Sequence, residues 1–477
     1  MDRYVLTADI GTSSLKAALI GLDGRLFAFA REAYPRAGTG KGADTVEAGP
    51  EVLPAPAWEA AFARSLASLG RAAGKIAPCA VCISGNGPTL VPVTGRGESL
   101  PPLYWYDPRV YTPEHTGLSS YFLPRPAWFK RNRPAEYERV RFFLSSHEWL
   151  SWRLGAEPFT ALPHAAYAPI YWDDAQLAAF DLDAEKFPRF VPMGAVAGRV
   201  SGEAALRLGL SAGTPIAAGA GDFIAALIGT GTLEPGLACD RAGSSEGINV
   251  CAVSPAEGRG LRVLPHALTG FWNTGLVIPA SGMLFDWYRG LTGREEDYAP
   301  LLERLLAAPA GERRGPGCFP VFMPGITGAG TAGGLSASAF VSPRALPDKD
   351  ELGRAVLETI GFQVRRGLHE LGRYGFPVGE LRCSGGQCKN TLWNRRKAGL
   401  CACSLLVPEI ADAELAGDTV LAALALGEAA DIREGAGRIV RIKDRYDPDP
   451  QTAAFYTERY ERYRDFTEKF RIFLEDF

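Results

Sequence analysis

The stretch nearest the amino terminus that could do chemistry is Asp9-Ile10-Gly11-Thr12-Ser13-Ser14, here called the first phosphate turn. It joins two apolar runs and so forms the turn between two predicted strands. Gly11 allows the backbone to approach an anion closely, and the amides and hydroxyls of the next three residues can donate to phosphate oxygens. Asp9 can hold Mg²⁺ through water. An ordinary hairpin with a polar turn has the same composition, so this stretch alone leaves both interpretations open.

A second stretch repeats this order of residue types about 230 positions later. Its sequence is Asp240-Arg241-Ala242-Gly243-Ser244-Ser245-Glu246-Gly247, here called the second phosphate turn. Two such turns in one chain are what duplication of one nucleotide-binding fold would leave. The repeat therefore favours phosphate binding by the first turn over an idle hairpin.

Asp222 follows an apolar strand and the small residues Gly219-Ala220-Gly221, and it begins a helix of small residues. An Asp at this place points into any cleft at the end of the strand, where it could act as a general base. It could instead cap the helix. One side chain cannot do both fully, so the two interpretations compete.

Two further stretches suit a sugar or polyol. One is Trp105-Tyr106-Asp107-Pro108-Arg109, whose rings could stack on the C–H faces of a sugar. Asp107 and Arg109 could form hydrogen bonds with the sugar hydroxyls. The alternative is a strand end with a surface ion pair. Gly85-Asn86-Gly87-Pro88, here called the sugar loop, follows a predicted strand, where open α/β sheets place ligands.

Strands and helices must position these residues. Apolar runs predict strands over 4–10, 15–24, 80–84, 89–93, 214–218 and 237–242, and an edge-like strand over 381–384. Helical spacing predicts helices over 58–69, 125–155, 223–229, 348–372 and 414–426 and at the carboxyl terminus. Residues 38–56 are predicted to form a surface loop, and Arg395-Arg396-Lys397 a solvated helix face. Lys16 could point to either side of its strand.

Length and composition describe a folded chain of about two to four domains. It has 477 residues, 47% of them hydrophobic and 22% charged. A net charge of −3 and a pI near 6.1 give no electrostatic reason to expect nucleic acid or a membrane as partner. Nine cysteines, with none of the five histidines at metal-ligand spacing, favour buried thiols over disulfides or zinc. No secretory leader and no long apolar window occurs, so we expect a cytoplasmic protein.

In order and spacing, these motifs resemble those of the FGGY carbohydrate kinases, a branch of the actin-like ATPase superfamily that contains xylulokinase and glycerol kinase. The resemblance runs over nearly the whole chain. It implies an α/β fold of two ribonuclease-H-like domains, residues 1–236 and 237–477, that close on a sugar and on Mg-ATP between them. The implied reaction is ATP-dependent phosphorylation of a sugar hydroxyl, without a covalent intermediate.

The resemblance also implies roles for single residues. Asp222 would be the general base, and Asp9 and Asp222 would hold Mg²⁺. The implied sugar contacts are Asn86, Trp105, Asp107, Arg109, Asp222 and Phe223. The implied ATP contacts are Gly11, Thr12, Ser13, Ser14, Gly243, Ser244, Ser245, Gly282, Gly385, Gly386, Gln387 and Asn390. The last four belong to Ser384 through Trp393, here called the adenosine loop.

The sequence departs from the family pattern in the sugar loop, at Phe223, at Gln387 and in the glycine-dense run 325–334. Relatives carry polar side chains in the sugar loop, an amide at Phe223 and a third glycine at Gln387. The predicted substrate is a ketopentose such as xylulose or a related ketose or polyol. A deoxy, modified or larger sugar would suit a sugar loop without those polar side chains better.

Two other functions compete with the kinase. One is a catalytically silent sugar- or nucleotide-binding regulator on the same scaffold, and the other is an actin-like or chaperone-type ATPase. Asp9, both phosphate turns and Asp222 favour the kinase. The sequence leaves a homodimer open.

Overall fold

The computed structural model describes residues 3–35, 53–113, 120–243, 245–258, 260–292, 296–307, 319–327, 336–342 and 346–474. The chain divides into two compact units. The first comprises Met1–Leu233, Pro265–Phe271 and Asp412–Arg441, and the second comprises Glu234–Leu264, Trp272–Ala411 and Ile442–Phe477. This differs from the single division expected after residue 236, because the segment 412–441 returns to pack within the first unit.

A six-stranded sheet forms the centre of the first unit, in the order β3-β2-β1-β4-β10-β9. Its strands are β1 (Tyr4–Ile10), β2 (Ser14–Gly21), β3 (Leu26–Ala33), β4 (Ala80–Gly85), β9 (Val196–Arg199) and β10 (Pro215–Ala217). β1, β2 and β3 pair antiparallel, whereas β4 pairs parallel with both β1 and β10. Two short pairs accompany the sheet: β5 (Val91–Thr94) with β6 (Val140–Leu144), and β7 (Thr160–Leu162) with β8 (Phe190–Pro192).

Ten α-helices of the described chain belong to the first unit. They are α1 (Pro56–Ala73), α2 (Pro124–Asn132), α3 (Pro134–Arg139), α4 (Ser146–Leu154), α5 (Ala168–Tyr171), α6 (Asp174–Ala179), α7 (Gly202–Leu208), α8 (Asp222–Gly229), α13 (Ala413–Ala425) and α14 (Ile432–Ile439). The apolar spacing in α1 predicted its buried side, and the structure confirms it: Trp58, Ala61, Phe62, Ser65, Leu66 and Leu69 are all buried.

Helices α8 and α13 pack with their backbones almost touching. A Cβ at Gly229 would lie 1.8 Å from the carbonyl oxygen of Ala413, and one at Gly417 would lie 2.0 Å from that of Ala225. Both contacts are far inside van der Waals distance, so each position excludes every side chain. The two glycines therefore allow α13 to approach α8 in the first unit.

The prediction of helix throughout 125–155 is wrong at 140–144. These residues form β6, whose Leu144 pairs with Val91 of β5. α3 ends at Arg139, and Ser145 provides the capping box of α4. The five residues between these two helices are rich in Val and Phe, which favour a short strand.

The second unit contains a seven-stranded sheet in the order β13-β14-β12-β11-β17-β18-β19. Its strands are β11 (Ala238–Ala242), β12 (Glu246–Ala252), β13 (Arg262–Pro265), β14 (Trp272–Ile278), β17 (Glu380–Ser384), β18 (Ser404–Pro408) and β19 (Ile442–Tyr446). β17 lies inside the sheet between β11 and β18, so the edge position expected for 381–384 is wrong. A separate antiparallel pair consists of β15 (Val321–Thr327) and β16 (Ser336–Val341). Most of the glycine-dense run 325–334 lies outside the described residues.

The two main sheets share one topology. In the second unit, β14, β12 and β11 pair antiparallel and β11, β17 and β18 pair parallel. The order β14-β12-β11-β17-β18 thus repeats β3-β2-β1-β4-β10 of the first unit. Each phosphate turn connects the first two strands of its unit. This repetition agrees with the duplicated fold that the two turns predicted.

Five helices of the described chain belong to the second unit: α9 (Gly282–Leu291), α10 (Tyr298–Ala307), α11 (Lys349–Arg373), α12 (Thr391–Cys401) and α15 (Pro450–Phe473). A capping box at Asp348 and Glu351 starts α11, as the predicted boundary near 348 requires. On α15, Tyr456, Tyr460 and Tyr463 are buried against Phe362 of α11.

Seven of the eight described cysteines are buried, and all eight are free thiols. Apolar surroundings therefore predicted their environment correctly. None of the described helices has enough uninterrupted apolar length to cross a bilayer.

Candidate active site

The first phosphate turn connects β1 to β2. Gly11 N donates to Ser14 O over 3.1 Å, and a Cβ at Gly11 would lie 2.9 Å from that oxygen, so the turn needs glycine there. Thr12 and Ser13 are exposed at the tip, where an anion can reach them. Ser14 is buried in β2, and its hydroxyl accepts a hydrogen bond from Arg31 Nε over 3.0 Å. The Ser14 hydroxyl is therefore engaged within the sheet.

Asp9 and Lys16 face each other across the β1–β2 pair. Lys16 Nζ lies 3.3 Å from Asp9 Oδ2, 3.4 Å from Asp412 Oδ1 and 3.8 Å from Glu414 Oε2. From the sequence, Lys16 could have pointed to either side of its strand. These distances show that it points toward Asp9, Asp412 and Glu414. Burial raises the pKa of Asp9 to about 7; Lys16 opposes that shift, while Glu414 and Asp222 add to it.

The residues around Asp9 fit a magnesium ion. Asp9 Oδ1 is buried and has no hydrogen-bond partner in the described part of the chain. Asp222 is near enough to act on Asp9 electrostatically. Among the described residues, no group of three or more His, Cys, Asp or Glu side chains is arranged to hold a metal ion. Mg²⁺ is usually held by one or two carboxylates together with substrate phosphates, and this pair of acids matches that arrangement.

Asp222 is the first residue of α8, and Gly221 is the N-cap. Gly221 forms an isolated parallel bridge with Gly85, the last residue of β4. The N-cap position is therefore one residue before Asp222, which lies in the first turn of α8 instead. Asp222 is half-buried and directly follows the residue that bridges to Gly85 of the sugar loop. Phe223, the next residue, is also half-buried and packs against the core around α8.

A buried threonine that sequence reasoning missed connects three parts of the first unit. Thr89 Oγ1 donates to Asn86 Oδ1 over 2.7 Å and accepts from Trp105 N over 3.3 Å. The Trp105 indole then donates to Thr12 Oγ1 over 3.4 Å, in the first phosphate turn. Asn86 Nδ2 is buried and lacks a hydrogen-bond partner among the described residues. The sugar loop, Trp105 and the first phosphate turn are thus brought together.

Asp107 and Arg109 bind each other in this structure. Asp107 Oδ1 accepts from both the Arg109 amide and Nε, each over 2.9 Å. Partial burial opposes ionisation of Asp107, but the Arg109 hydrogen bonds hold its pKa below the ordinary value. The guanidinium also lies over the Trp128 ring, 5.1 Å from its centroid. The ion pair and the sugar-facing role were alternatives, and the ion pair is present.

The second phosphate turn lies between β11 and β12 in the second unit. Gly243 is exposed, and its amide donates to Ser245 O over 3.0 Å. Ser245 is half-buried, and the predicted ATP contact Ser244 lies outside the described residues. Gly282, the first residue of α9, donates its amide to Gly243 O over 3.2 Å. Gly243, Ser245 and Gly282 are therefore neighbours.

The adenosine loop begins where β17 ends. Gly385 has a φ of +94°, and a Cβ there would lie 2.4 Å from Ala242 O in the second phosphate turn. Gly386 faces open space. Asn390 caps α12 by accepting from Trp393 N over 2.9 Å, which gives its side-chain oxygen a structural role. Gly385 thus allows the adenosine loop to approach the second phosphate turn.

Lys397 is the clearest error in the sequence analysis of this unit. It was predicted to lie on a solvated helix face with Arg395 and Arg396, but only 2% of its side chain is exposed. Its Nζ lies 2.6 Å from Asp240 Oδ2 and 3.2 Å from Glu246 Oε1. The apolar residues that follow it in α12 were the available signal that this turn of the helix is buried.

Solved structures share this fold. Xylulose kinase from Rhodospirillum rubrum aligns with a TM-score of 0.75 at 21% identity, over 99% of this chain and 100% of that one. Glycerol kinase from Plasmodium falciparum, solved with ADP, aligns with a TM-score of 0.76 at 15% identity, over 98% of both chains. The protein therefore has the two-domain actin-like ATPase fold, and the predicted fold class is confirmed.

The family follows from the sequence. The model of the N-terminal domain of the FGGY family of carbohydrate kinases matches residues 106–229, and that of the C-terminal domain matches residues 241–426. Autoinducer-2 kinase of Klebsiella pneumoniae is 23% identical over 95% of this chain and 92% of its own length. The chain belongs to the FGGY family of carbohydrate kinases. It is a sugar kinase, and its family implies ATP as the phosphoryl donor.

Proposed function

We propose that the protein transfers the γ-phosphoryl group of Mg-ATP to a hydroxyl of a ketopentose such as xylulose, or of a related ketose or polyol. The observation that carries this proposal is the arrangement of Asp222 in the first unit. Asp222 is half-buried and is the first residue of α8, directly after the residue that bridges to Gly85 of the sugar loop. It also acts electrostatically on Asp9. The proposed base and the proposed metal ligand therefore both lie near the carboxyl ends of strands in the same sheet.

In the proposed step, Asp222 accepts the proton of the attacking hydroxyl. The sugar oxygen forms the new bond to phosphorus, the bond between phosphorus and the β,γ-bridging oxygen breaks, and ADP leaves with the electron pair. Positioning and charge neutralisation supply most of the catalysis in such a transfer. No protein nucleophile takes part.

Asp9 is the proposed first ligand of Mg²⁺, with Asp222 as the second acid near it. When bound, Mg²⁺ would neutralise charge on the phosphates. Lys16 keeps positive charge next to Asp9 and so favours its ionised form, which opposes the effect of burial. The orphaned Oδ1 supports this role, because a buried carboxylate oxygen without a partner is costly unless a ligand completes it.

On the sugar side, we propose contacts from Asn86, Trp105 and Phe223 and from the Asp107–Arg109 pair. Asn86 Nδ2 supports this assignment because it is buried with an unused donor. Because Asp107 is already bound by Arg109, the guanidinium is the part of that pair with donors to spare. For ATP, we propose Gly11 to Ser14 in the first unit, and Gly243 to Ser245, Gly282, Gly385 to Gln387 and Asn390 in the second.

An ADP-release assay over ketoses, polyols, aldoses, gluconate and autoinducer-2 tests this proposal. We expect turnover with at least one ketose or polyol. Asp222→Asn should lower kcat by about 10²- to 10⁴-fold while ATP still binds, because proton transfer contributes that much. The matched control is Asp174→Asn, since Asp174 is also the first residue of a helix but is exposed. Activity in Asp222→Asn equal to that of the control would refute the base assignment.

The panel also decides between functions. If sugars bind and none is phosphorylated, the protein is the silent regulator instead of a kinase acting on these substrates. ATP hydrolysis that is independent of every sugar would favour the actin-like or chaperone-type ATPase. Turnover of gluconate or autoinducer-2 alone would retain the kinase and refute the substrate class proposed above.

A further inference from the structure

Thr89 directly follows the sugar loop and is completely buried. A threonine hydroxyl has one proton to donate and two lone pairs with which to accept. Thr89 Oγ1 donates to Asn86 Oδ1 over 2.7 Å and accepts from Trp105 N over 3.3 Å. One hydroxyl therefore holds two of the proposed sugar contacts at the same time.

These bonds decide which end of the Asn86 side-chain amide faces Thr89. If the amide were reversed, its nitrogen would donate to Thr89 Oγ1, and the Thr89 proton would have no acceptor among the described residues. A buried hydroxyl proton without an acceptor is costly. The amide oxygen therefore faces Thr89, and the N–H donors of Asn86 Nδ2 face away from it. Nδ2 is buried and has no hydrogen-bond partner in the described part of the chain.

The main chain of both partners is held by other elements of the first unit. Asn86 N donates to Ile10 O of β1 over 2.9 Å, and Asn86 O accepts from Ser146 Oγ of α4 over 3.1 Å. Trp105 O accepts from Arg125 Nη2 of α2. The threonine hydroxyl is thus left to fix the side chain of Asn86 and the main-chain N–H of Trp105.

We propose that Thr89 is a positioning residue for the sugar, which holds Asn86 and Trp105 in one arrangement and directs the Asn86 N–H donors to a substrate oxygen. The inference rests on the proposed function, because it takes Asn86 and Trp105 as sugar contacts. Groups that are held in place before binding lose little conformational entropy when a ligand binds, so Thr89 strengthens sugar affinity without touching the sugar. The substrate group against Asn86 must be an acceptor, such as a hydroxyl or keto oxygen, and cannot be an ammonium group.

Calorimetric titration with sugar tests the role of Thr89, with xylulose as the first probe and then the other sugars of the ADP-release panel. Thr89→Val keeps the shape but removes the hydroxyl. The Kd and KM for sugar should therefore rise about five- to tenfold, the usual effect of losing one hydrogen bond. Thr89→Ser keeps the hydroxyl and should bind sugar like the wild type. The kcat and the Kd for ATP should not change, because Thr89→Val alters neither the proposed base nor a proposed ATP contact.

Thr214→Val is the matched control. Thr214 is also buried and donates to Ser211 O over 2.8 Å, but it lies just before β10, at the end of that strand opposite Asp222. This change should leave the Kd for sugar unchanged.

Two changes at Asn86 test whether Thr89 acts through the amide. In an Asn86→Ala background, Thr89→Val should raise the Kd for sugar less than it does in the wild type, because the amide that Thr89 orients is gone. Asn86→Asp keeps an oxygen for Thr89 but replaces the donor by an acceptor, so it should weaken sugar binding more than Asn86→Ala does. This second comparison tests the donor even if Thr89→Val does not fold.

Several results would overturn the inference. A Kd for sugar in Thr89→Val equal to that of the control would show that the hydroxyl is irrelevant, and equal weakening in Thr89→Ser would show that packing matters instead. Asn86→Asp that binds sugar as well as the wild type would refute the donor assignment. Sugar binding that weakens as expected but never leads to ADP release would refute the proposed function alone. Turnover with an unchanged Kd for sugar in Thr89→Val would refute this inference alone.

Discussion

Glu148 is a buried carboxylate that lies outside the proposed site and sets part of the protein's response to pH. It occupies the first turn of α4, where its oxygens accept from Ser145 N over 2.7 Å and from Ala161 N over 2.8 Å. Burial raises its pKa from the ordinary value of 4.5 to about 7, and the two backbone donors only partly oppose that shift. The folded protein therefore keeps a proton on Glu148 that the unfolded chain has already lost.

We expect Glu148 to reduce stability as the pH rises from 4.5 to about 7. In that interval the folded state binds more protons, so the free energy of unfolding falls with pH, by about 3 kcal/mol at most for this one group. Glu148→Gln cannot ionise. In urea unfolding across this pH range, the free energy of unfolding of the wild type should fall relative to that of Glu148→Gln as the pH increases.

The control for this experiment is Glu203→Gln, which changes an exposed acid in the first turn of α7. It should follow the wild-type pH dependence. A stability difference between wild type and Glu148→Gln that is independent of pH would contradict the prediction.

At the residue scale, sequence patterns could suggest candidate site residues more readily than the buried contacts that a residue makes. Asp9, Asp222 and Gly243 could be proposed as site residues from sequence because short motifs combine a carboxylate or a glycine with a turn. Lys397 could not be predicted in the same way, because its partners Asp240 and Glu246 lie about 150 positions earlier. Thr89 could not be predicted from sequence either, because its hydroxyl connects Asn86 and Trp105 only once the fold has brought those residues together.

Elements with strong periodicity were predicted well, and short ones were not. The buried side of α1 was predictable because a helix that covers a sheet repeats its apolar positions over several turns. β6 has five residues, too few to distinguish the apolar period of a helix from that of a strand. Aromatic residues also suit both a strand and a core helix. The interior position of β17 depends on which strands pair with it, which is tertiary information.

The backbone contact between α8 and α13 gives a prediction at the scale of elements. Gly417→Ala should destabilise the first unit by about 3 kcal/mol or prevent its folding, because the added methyl group would meet the Ala225 carbonyl at 2.0 Å. Urea unfolding followed by tryptophan fluorescence measures the change. Activity should fall only with the folded fraction.

Gly437→Ala provides the matched control, since Gly437 lies in α14 with no heavy atom within 4 Å of the added group. That change should stabilise the protein by up to about 1 kcal/mol, because alanine is the better helix former. If Gly417→Ala and Gly437→Ala gave equal stabilities, the close contact would have no energetic importance.

At the scale of the whole molecule, the chain passes between the two units five times. The domain division expected from sequence motifs was placed after residue 236, whereas the first passage between the units falls after Leu233. It could not show that 412–441 returns to the first unit, because an Ala- and Leu-rich helix carries no information about which sheet it covers.

This connectivity predicts that residues 1–236 do not fold alone. A fragment 1–236 should lack cooperative unfolding, because α13, which covers β1 and β4 and packs on α8, is missing. Joining residues 412–441 to it through a long flexible linker should restore a cooperative transition in urea, since added linker length costs little. The same fusion carrying Gly417→Leu should behave like the fragment. Cooperative unfolding of the fragment itself would show that α13 is dispensable.

The late position of α13 in the chain also has a consequence for biosynthesis. About 180 residues separate Leu233 from the start of the segment 412–441. At about 5–20 residues per second, a ribosome needs roughly 10–40 s to deliver that helix after the rest of the sheet has emerged. Through that interval the face of the nascent sheet that α13 will cover, including the neighbourhood of Cys82 and Ser84, is open to water. This face is where we expect a chaperone to bind the growing chain, and where truncated translation products would aggregate.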